Sequence, residues 1–392
     1  MYDHVFHTKT VIEFGKGAEE KAGFYAAQYG KKALIHYGGG SVKRTGLFDR
    51  VKKSLEDAGV EVFELGGVVP NPRVDLCRKG IELCRKENID VVIGLGGGSA
   101  VDSAKCICAG MYYDGDVWDI CNGVADAPEK LLPIIAIITM AGSGTEVSMG
   151  AVISSADGVL KRGIGSNRLR PDVCILNPEL TYTLPPFQVA AGGMDIATHC
   201  LERVLSEHVD SELTERLALA TAKNVLQNIP RALADPTDYE SHSQLSYASM
   251  YAMLGWMYFG IVTDGWLHEV EHELSAAYDM THGAGLAIMM IAYFKYLADK
   301  RTEKVAKVLH ELFDVPYDYA NMQNTVWEGI RRLEDYIKSI GLPTRLSEYC
   351  VPDQSRFEEM AHRVLEGRNK ETVGHLYPMT PAQVVEVFKL AF

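Results

Sequence analysis

The first half of the chain alternates between short apolar runs and longer segments whose apolar residues recur at helical spacing. The runs 32–37 and 90–95 are compact and apolar, and each leads directly into glycines. The segments 47–58 and 74–87 place apolar residues three or four positions apart, as amphipathic helices do. Further strands are expected at 10–17, 60–65 and 132–138, and further helices at 18–29 and 100–111. Strands that alternate with helices in this way predict a doubly wound α/β domain with a parallel sheet.

The pattern changes near residue 185, after the sequence Leu184-Pro185-Pro186. Strand-like runs disappear, and long amphipathic segments take their place. Helices are expected at 187–206, 210–234, 241–262, 264–278, 284–298, 302–314 and 323–340. Because 392 residues exceed what one hydrophobic core normally serves, two domains are expected. We predict an α/β domain over 1–185 and an all-helical domain over 186–392.

Composition narrows the class of partner. The net charge is −13, which argues against nucleic acid or an anionic membrane surface as partner. The longest apolar runs, such as 285–294, are too short to span a bilayer, and the N-terminal residues lack the pattern of a signal peptide. The eight cysteines are sparse and show no zinc-knuckle spacing, as expected for reduced thiols. We therefore expect a cytoplasmic protein.

Three glycine-rich loops follow predicted strands. The loop Gly96-Gly97-Gly98-Ser99 joins a buried strand to a helix, where backbone N–H groups and the helix dipole favour a phosphate. Asp102, in that helix, could accept hydrogen bonds from a ribose or a nicotinamide amide. The loop 139–146 is rich in small hydroxyl residues. Each loop could be ordinary turn chemistry, but three together favour a nucleotide beyond the carboxyl ends of the strands.

The remaining loop, Gly38-Gly39-Gly40-Ser41, bears on the choice of nucleotide. No acidic residue follows its strand directly, although an acid there would bind a ribose 2′-hydroxyl and repel a 2′-phosphate. Ser41, Lys43 and Arg44 could instead accommodate that phosphate. The alternative is that Lys43 and Arg44 are solvated surface charges. The loop favours NADP(H) as cofactor, with NAD(H) also possible.

The helical half carries five residues of metal-binding type. Asp195 and His199 lie four positions apart and so share one helix face, and His268 and His272 repeat this spacing. His282 follows ten residues later. One carboxylate and three imidazoles are a usual ligand set for a divalent transition metal. We predict that Asp195, His199, His268 and His282 hold one Fe²⁺ or Zn²⁺ ion, with His272 beside it and free to act.

Taken one at a time, these residues also have structural interpretations. Asp195 could be a helix N-cap, His199 a satisfied core residue and His282 a turn residue. Four nearby acids could be ligands instead: Glu202, Glu269, Glu271 and Glu273. We interpret these acids as surface groups or as partners of the imidazoles, because a ligating imidazole often needs a carboxylate on its other ring nitrogen.

The collected motifs resemble those of the iron-containing, group III alcohol dehydrogenases. The resemblance is carried by five segments: Gly96–Ser99 with Asp102 and Lys105, Ala141–Glu146, Asn177–Pro185, Gly193–His199 and His268–Ser275. Two further stretches, Tyr37–Gly46 and His272–Gly285, are similar to the butanol dehydrogenase and NADPH-dependent aldehyde reductase branch of that family. Met140-Ala141 departs from the family pattern, in which Thr or Pro often precedes the small residue.

The resemblance implies a Rossmann-like N-terminal domain and an all-α C-terminal domain, the dehydroquinate synthase-like fold. It implies a catalytic metal in the cleft between them, with the four ligands proposed above and His272 close to nicotinamide and substrate. It further implies a homodimer. Cofactor contacts carry over to Gly38, Gly39, Ser41, Asn71, Gly97, Gly98, Ser99, Asp102, Thr139, Gly142, Lys161 and Leu180.

We therefore expect a metal-dependent, NAD(P)H-linked alcohol dehydrogenase that works largely as an aldehyde reductase. Its expected substrates are short to medium primary alcohols and aldehydes, such as butanol and butanal. One alternative is a different enzyme on this scaffold: a glycerol or polyol dehydrogenase, or a dehydroquinate synthase-like lyase that uses NAD without net oxidation. Another is a non-catalytic nucleotide-binding protein with a structural metal, although structural sites are normally closed and rich in cysteine.

Overall fold

The computed structural model describes residues 5–206, 211–366 and 370–392. The chain divides into two compact units, one formed by His7–Thr183 and the other by Leu184–Phe392 with Phe6. The first unit is α/β and the second is helical. The functional domain bounds 1–185 and 186–392 stay a prediction.

The α/β unit contains eight strands and six helices within its described residues. The strands are β1 Val11–Phe14, β2 Lys32–Gly38, β3 Glu61–Val68, β4 Val91–Gly96, β5 Ile134–Ile138, β6 Gly150–Ser154, β7 Lys161–Gly165 and β8 Val173–Leu176. The helices are α1 Ala22–Ala26, α2 Ser41–Arg44, α3 Leu47–Asp57, α4 Val74–Glu87, α5 Gly98–Gly110 and α6 Val117–Cys121. Six strands form a parallel sheet in the order β1-β8-β5-β4-β2-β3, while β6 and β7 form a separate antiparallel hairpin.

Successive residues of the central strands enter two different cores. Leu34, Val92 and Ile134 are paired across β2, β4 and β5 and belong to the core that includes α4 and α5. The residues that follow them in each strand belong to the core that includes α1 and α3. Because side chains alternate between the faces of a strand, this pattern requires helices on both faces of the sheet. The predicted doubly wound sheet is confirmed.

The three glycine loops leave one edge of this sheet. They begin at the carboxyl ends of β2, β4 and β5, which are neighbouring parallel strands. The carboxyl ends of parallel strands share an edge, and ligands of open α/β sheets bind there. The topology therefore collects the three loops that the sequence singled out.

The helical unit is built around two adjacent helices, α7 and α11. Its helices are α7 Pro186–Val204, α8 Glu212–Ala234, α9 Tyr239–Met253, α10 Trp266–Tyr278, α11 His282–Leu297, α12 Thr302–Phe313, α13 Met322–Ser339, α14 Phe357–Arg363 and α15 Pro381–Ala391. Helix α7 packs against α8 and α11, and α10 packs against α11. Fourteen of the sixteen residues of α11 are buried, so this helix is the centre of the unit. Across the described residues, no helix is both long and apolar enough to cross a membrane.

Several predicted elements differ from the observed ones. The hairpin β6–β7 was not predicted, because its strands are short and contain glycines and charges. Strand β8 has only four residues, and its signal is the apolar run between Asp172 and Asn177. The helix predicted over 241–262 ends at Met253, where a 3-10 turn follows. Helix α15 was missed although Thr380 and Gln383 form a capping box at its start.

Candidate active site

Helix α7 supplies a carboxylate and an imidazole from its buried interior. Asp195 and His199 are both buried, and one turn of helix separates them. Asp195 Oδ1 lies 3.6 Å from His199 Nδ1. The interpretation of Asp195 as an N-cap is wrong, because α7 begins at Pro186.

Helices α10 and α11 bring two more imidazoles to the same oxygen. His268 Nε2 lies 3.4 Å from Asp195 Oδ1, and His282 Nε2 lies 3.8 Å from it. His282 reaches this position because Gly283 allows α11 to approach α7 closely. A Cβ atom on Gly283 would lie 1.9 Å from the carbonyl oxygen of Ala191. Any larger residue at position 283 would therefore separate the two helices.

The donor atoms of this cluster are arranged for a cation. Asp195 Oδ1, His199 Nδ1 and His268 Nε2 are buried, and none has a hydrogen-bond partner among the described residues. Three unpaired buried polar atoms at one point are costly unless something binds them. Donor atoms about 2.1 Å from Zn²⁺ at the corners of a tetrahedron lie about 3.4 Å apart, close to the observed separations. The residues present therefore fit a divalent ion.

Two carboxylates hydrogen-bond to Nδ1 of the His268 and His282 imidazoles, the ring nitrogen on the far side from Asp195. Glu202 Oε2 lies 2.8 Å from His268 Nδ1, and Glu202 Oε1 accepts the backbone N–H of His268. Glu271 accepts from His282 Nδ1 and is itself bound by Ser275 Oγ at 2.5 Å. Because Nδ1 of each ring donates to a carboxylate, Nε2 is left facing Asp195. The spacing of four between Glu271 and Ser275 is the sequence signal for this contact, which was not predicted.

Burial and charge act in opposite directions on these groups. Burial lowers the pKa of His199 to about 3, so its imidazole is neutral at pH 7, the form that binds a metal. Burial also acts to lower the pKa of His268, but Glu202 and Asp195 outweigh burial and raise that pKa to about 10. Burial acts to raise the pKa of Asp195, yet the neighbouring histidines keep it below its ordinary value. Asp195 and Glu202 thus favour a positive charge at His268, and a metal ion bound there takes the place of the His268 proton.

His272 lies beside the cluster and outside it. Its ring centroid is 5.4 Å from that of His282, and donor atoms of Glu271, His272 and His282 lie within 4.8 Å of one another. A metal held by this second group would need His282 Nδ1, the nitrogen that Glu271 already holds, or would share Nε2 with the first group. In the group of Asp195, His268 and His282, Nε2 of each imidazole lies within 4 Å of Asp195 Oδ1, and neither nitrogen is held by a carboxylate behind the ring.

In the α/β unit, the predicted cofactor residues gather at the sheet edge. Gly38 ends β2, Gly39 follows it and Ser41 begins α2, while Gly97 joins β4 to α5, whose first two residues are Gly98 and Ser99. The loop after β5 lies against the latter, because Thr139 donates its N–H to Gly96 at 2.9 Å. Gly142 is in the same loop and is buried. The structure therefore places two of the three loops in direct contact.

Asp102 and Lys105 tie the hairpin β6–β7 to α5. Asp102 accepts from Thr145 Oγ1 at 2.5 Å and from the backbone N–H of Val152 at 2.9 Å. Lys105 donates Nζ to the carbonyl oxygens of Ser148 and Gly150 at 2.9 and 2.7 Å. Both carboxylate oxygens of Asp102 thus have partners within the chain, which gives this side chain a structural role beside the predicted contact with the cofactor.

The three remaining predicted contacts lie on separate elements. Lys161 is the first residue of β7 and is buried. The hydrogen bonds of Asp102 and Lys105 to the hairpin therefore help to position it. Asn71 follows β3 and adopts a left-handed backbone conformation with φ 52°. Leu180 lies in the 3-10 turn after β8 and packs against the core that includes α1 and α3. The roles of all twelve residues in binding a cofactor stay predictions.

Comparison with known sequences identifies the family. A sequence model described as iron-containing alcohol dehydrogenase matches residues 9–178, and one described as Fe-containing alcohol dehydrogenase family, C-terminal, matches residues 189–392. This chain belongs to the iron-containing alcohol dehydrogenase family. The alcohol dehydrogenase is therefore an oxidoreductase that uses NAD(P), and the resemblance described from its motifs is confirmed.

Curated relatives align with almost the whole length of this chain. NADH-dependent butanol dehydrogenase A of Clostridium acetobutylicum is 36% identical over 392 residues, which span 100% of this chain and 99% of the relative. The NADPH-dependent aldehyde reductase YqhD of Escherichia coli is 32% identical over 367 residues, or 91% of each chain. These names cover alcohols, aldehydes and both nicotinamide cofactors, so they support the class of reaction and leave the preferences open.

Solved structures agree with the fold. The crystal structure of NADH-dependent butanol dehydrogenase A from Thermotoga maritima matches with a TM-score of 0.92 at 32% identity, covering 100% of this chain and 99% of that one. The structure of YqhD from Escherichia coli K-12 matches with a TM-score of 0.93 at 29% identity, with the same coverage. The predicted combination of an α/β unit and a helical unit is therefore confirmed for the alcohol dehydrogenase.

Proposed function

We propose that this alcohol dehydrogenase interconverts short- to medium-chain primary alcohols and their aldehydes, such as butanol and butanal, and works largely as an aldehyde reductase. The observation that carries the proposal is the convergence of unpaired buried donor atoms from Asp195, His199 and His268. Such a set is built to hold a divalent ion. The curated relative named as a butanol dehydrogenase supports the substrate class.

The ligand residues are Asp195, His199, His268 and His282. A divalent ion held by them supplies Lewis-acid polarisation of a carbonyl or alcohol oxygen, and a reduced nicotinamide supplies hydride. Fe²⁺ and Zn²⁺ both suit this ligand set. Glu202 and Glu271 orient His268 and His282 through Nδ1, so that the ligand nitrogens are preorganised before the ion arrives.

His272 is the proposed proton-handling residue. It is half-buried, it lies one turn after His268 on α10, and its ring is adjacent to that of His282. In aldehyde reduction, a ring nitrogen of His272 gives a proton to the product oxygen, directly or through water, and in alcohol oxidation it takes that proton back. His272 is therefore proposed to act without being a ligand.

The nicotinamide dinucleotide is proposed to bind at the sheet edge formed by the three glycine loops. Support comes from the parallel topology and from the N-terminus of α5, a thirteen-residue helix that begins at Gly98. The sequence preference for NADP(H) over NAD(H) rests on the loop after β2 and stays a prediction, as does a cytoplasmic location.

We further propose a homodimer. Within the described part of the chain, strand β1 is an edge strand that pairs only with β8, and Val11, Ile12 and Phe14 on it are exposed. Exposed apolar edge strands are surfaces on which a second chain can pair. Light scattering of the purified chain measures the assembly.

The activity test uses protein stripped with chelator and reloaded with Zn²⁺ or Fe²⁺. Oxidation of NADH and of NADPH is followed with a panel of linear aldehydes, and glycerol with NAD⁺ and NADP⁺ tests the polyol alternative. We expect oxidation that depends on both the metal and the aldehyde, with butanal among the better substrates. Absence of turnover with every aldehyde and both metals would contradict the proposal. Turnover with glycerol alone would replace it with the polyol reaction.

A further inference from the structure

Lys43, one of the two cations that follow the glycine loop after β2, is held by a carboxylate within the chain. Its Nζ lies 2.7 Å from Glu64 Oε2. The same ammonium group lies over the rings of Tyr37 and Phe48, at 5.0 and 4.5 Å from their centroids. Lys43 is therefore engaged in a local cluster, although the sequence alone presents it as a free surface charge or a phosphate ligand.

The sheet brings Glu64 to this position. Glu64 lies on β3 beside Ile35 of β2, and Tyr37 of β2 donates its hydroxyl to Glu64 Oε2 at 3.1 Å. The Tyr37 ring can lie across β3 only because residue 66 is glycine. A Cβ atom on Gly66 would lie 2.6 Å from two carbons of that ring. The register of β2 and β3, the ring of Tyr37 and the glycine at position 66 together fix the Lys43–Glu64 pair near the end of β2.

The pair alters the electrostatics of the loop. The hydrogen bond from Lys43 holds the pKa of Glu64 below its ordinary value, so Glu64 is ionised at pH 7. A phosphate monoester carries a charge of about −1.5 to −2 at that pH. A 2′-phosphate could bind Lys43 only by competing with Glu64, and it would also be repelled by the carboxylate. A ribose 2′-hydroxyl has no charge and meets neither penalty.

The difference between a 2′-phosphate and a 2′-hydroxyl matters at the loop after β2. Strand β2 is the direct neighbour of β4, and β4 leads into the glycine loop at the N-terminus of α5. In dinucleotide-binding sheets, the pyrophosphate lies at such a helix N-terminus, and the ligand extends beyond the carboxyl ends of neighbouring strands. Of the two neighbours of β4, we take β2 as the strand whose loop receives the ribose 2′ position, because that loop carries Ser41 and Lys43.

We propose that Glu64 is a specificity-determining residue that disfavours NADPH relative to NADH by holding Lys43 and opposing a 2′-phosphate. This inference rests on the proposed binding of a nicotinamide dinucleotide at the sheet edge. It assigns the choice of cofactor to a residue on β3, twenty-three positions after Ser41, rather than to the glycine loop alone.

The test measures cofactor binding, independently of turnover. Nicotinamide fluorescence gives Kd for NADH and NADPH with the metal-loaded wild type and with Glu64→Gln, which keeps an oxygen for Tyr37 and removes the charge. We expect the ratio of Kd for NADPH to Kd for NADH to fall about tenfold in E64Q, as for removal of one nearby like charge in a solvated site. The change should shrink at high salt. Adding Lys43→Gln to E64Q should cancel it.

The matched control is Asp57→Asn, which makes the same change in net charge. Asp57 pairs with Lys53 at the C-terminal end of α3, and both side chains are exposed. We expect the Kd ratio of D57N to equal that of the wild type. Equal ratios in E64Q and D57N would overturn the role of Glu64 and leave the proposed function standing. Absence of binding of either dinucleotide to the wild type would overturn the proposed function and this inference together.

Discussion

Both units bury charged side chains, but the polar atoms compared here have hydrogen-bond partners in the α/β unit and lack them in the helical unit. In the α/β unit, Asp102 and Lys105 have hydrogen-bond partners within the chain for both carboxylate oxygens and for the ammonium group. In the helical unit, Asp195, His199 and His268 leave one atom each without a hydrogen-bond partner among the described residues, and these atoms face one another. The first cluster is closed, while the second is open to an ion.

The difference separates two uses of a buried charge. A buried ionic group is tolerated when hydrogen bonds satisfy it, and it then holds elements in place. Here that element is the hairpin β6–β7, which carries Lys161. Buried polar atoms that lack partners and also face one another fit a bound ion instead. The comparison predicts that changes in the closed cluster alter stability, whereas changes in the open cluster alter metal binding.

The largest expected effect is loss of the metal from His268→Ala. Removing one of the four proposed ligands should weaken metal affinity by about a thousandfold, which corresponds to about a quarter of the binding free energy of a four-ligand site. His272→Ala should keep the metal and lower kcat by about a hundredfold, the typical contribution of a general acid or base. Elemental analysis and chelator competition measure the first effect, and steady-state kinetics measure the second.

The matched control for both variants is His310→Ala. His310 is half-buried in α12 and its Nδ1 binds the carbonyl oxygen of Val315, outside the cluster. Its metal content should equal that of the wild type. Equal loss of metal from His268→Ala and His272→Ala would show that the two histidines share one role, contrary to the division proposed here.

The next effect concerns the closed cluster. Lys105→Met should lower the free energy of unfolding by about 3 kcal/mol, because it removes the buried ammonium group that donates to the carbonyl oxygens of Ser148 and Gly150 and that lies near Asp102. Denaturant unfolding measures this loss. Its metal content should stay unchanged. Lys53→Met, which removes an exposed cation, should change stability by less than about 0.5 kcal/mol. A stable Lys105→Met that lacks metal would contradict the comparison.

The smallest expected effect concerns Glu202, which tests whether a residue behind the ligands contributes to metal affinity. Glu202→Gln should weaken metal affinity by about 10- to 100-fold, because the amide orients His268 less strongly than the carboxylate does. Chelator competition measures the affinity. Glu215→Gln is the control, since Glu215 is buried in the same unit and pairs with Lys307. If both variants bind the metal equally well, Glu202 has only a structural role.

The hydrophobic pattern was sufficient for most of the fold. Helix α4 was predicted residue for residue at 74–87, because its apolar face and the turn before it are local features. The doubly wound sheet followed from strands that alternate with helices. The hairpin β6–β7 could not be predicted from the hydrophobic pattern, because hydrogen bonds from Asp102 and Lys105 on α5 hold it in place. Such long-range support leaves no periodic signal in the strands themselves.

The candidate metal site shows the same division. The spacing of Asp195 and His199, and of His268 and His272, is enough to propose ligands, because four positions on a helix define one face. Spacing does not say which histidine of the second pair faces Asp195. The tertiary structure decided that point: Glu202 on α7 holds His268 Nδ1, so that His268 Nε2 faces Asp195.

By itself, then, the sequence determined the elements, their alternation and the residue types available for chemistry, since these depend on local periodicity and side-chain properties. Only the tertiary structure decided which atoms have partners. It paired Lys43 with Glu64, closed the cluster around Asp102, and left Asp195 Oδ1 facing three imidazoles. The physical reason is that hydrogen bonding and charge depend on separations of a few ångströms between residues that are far apart in the chain.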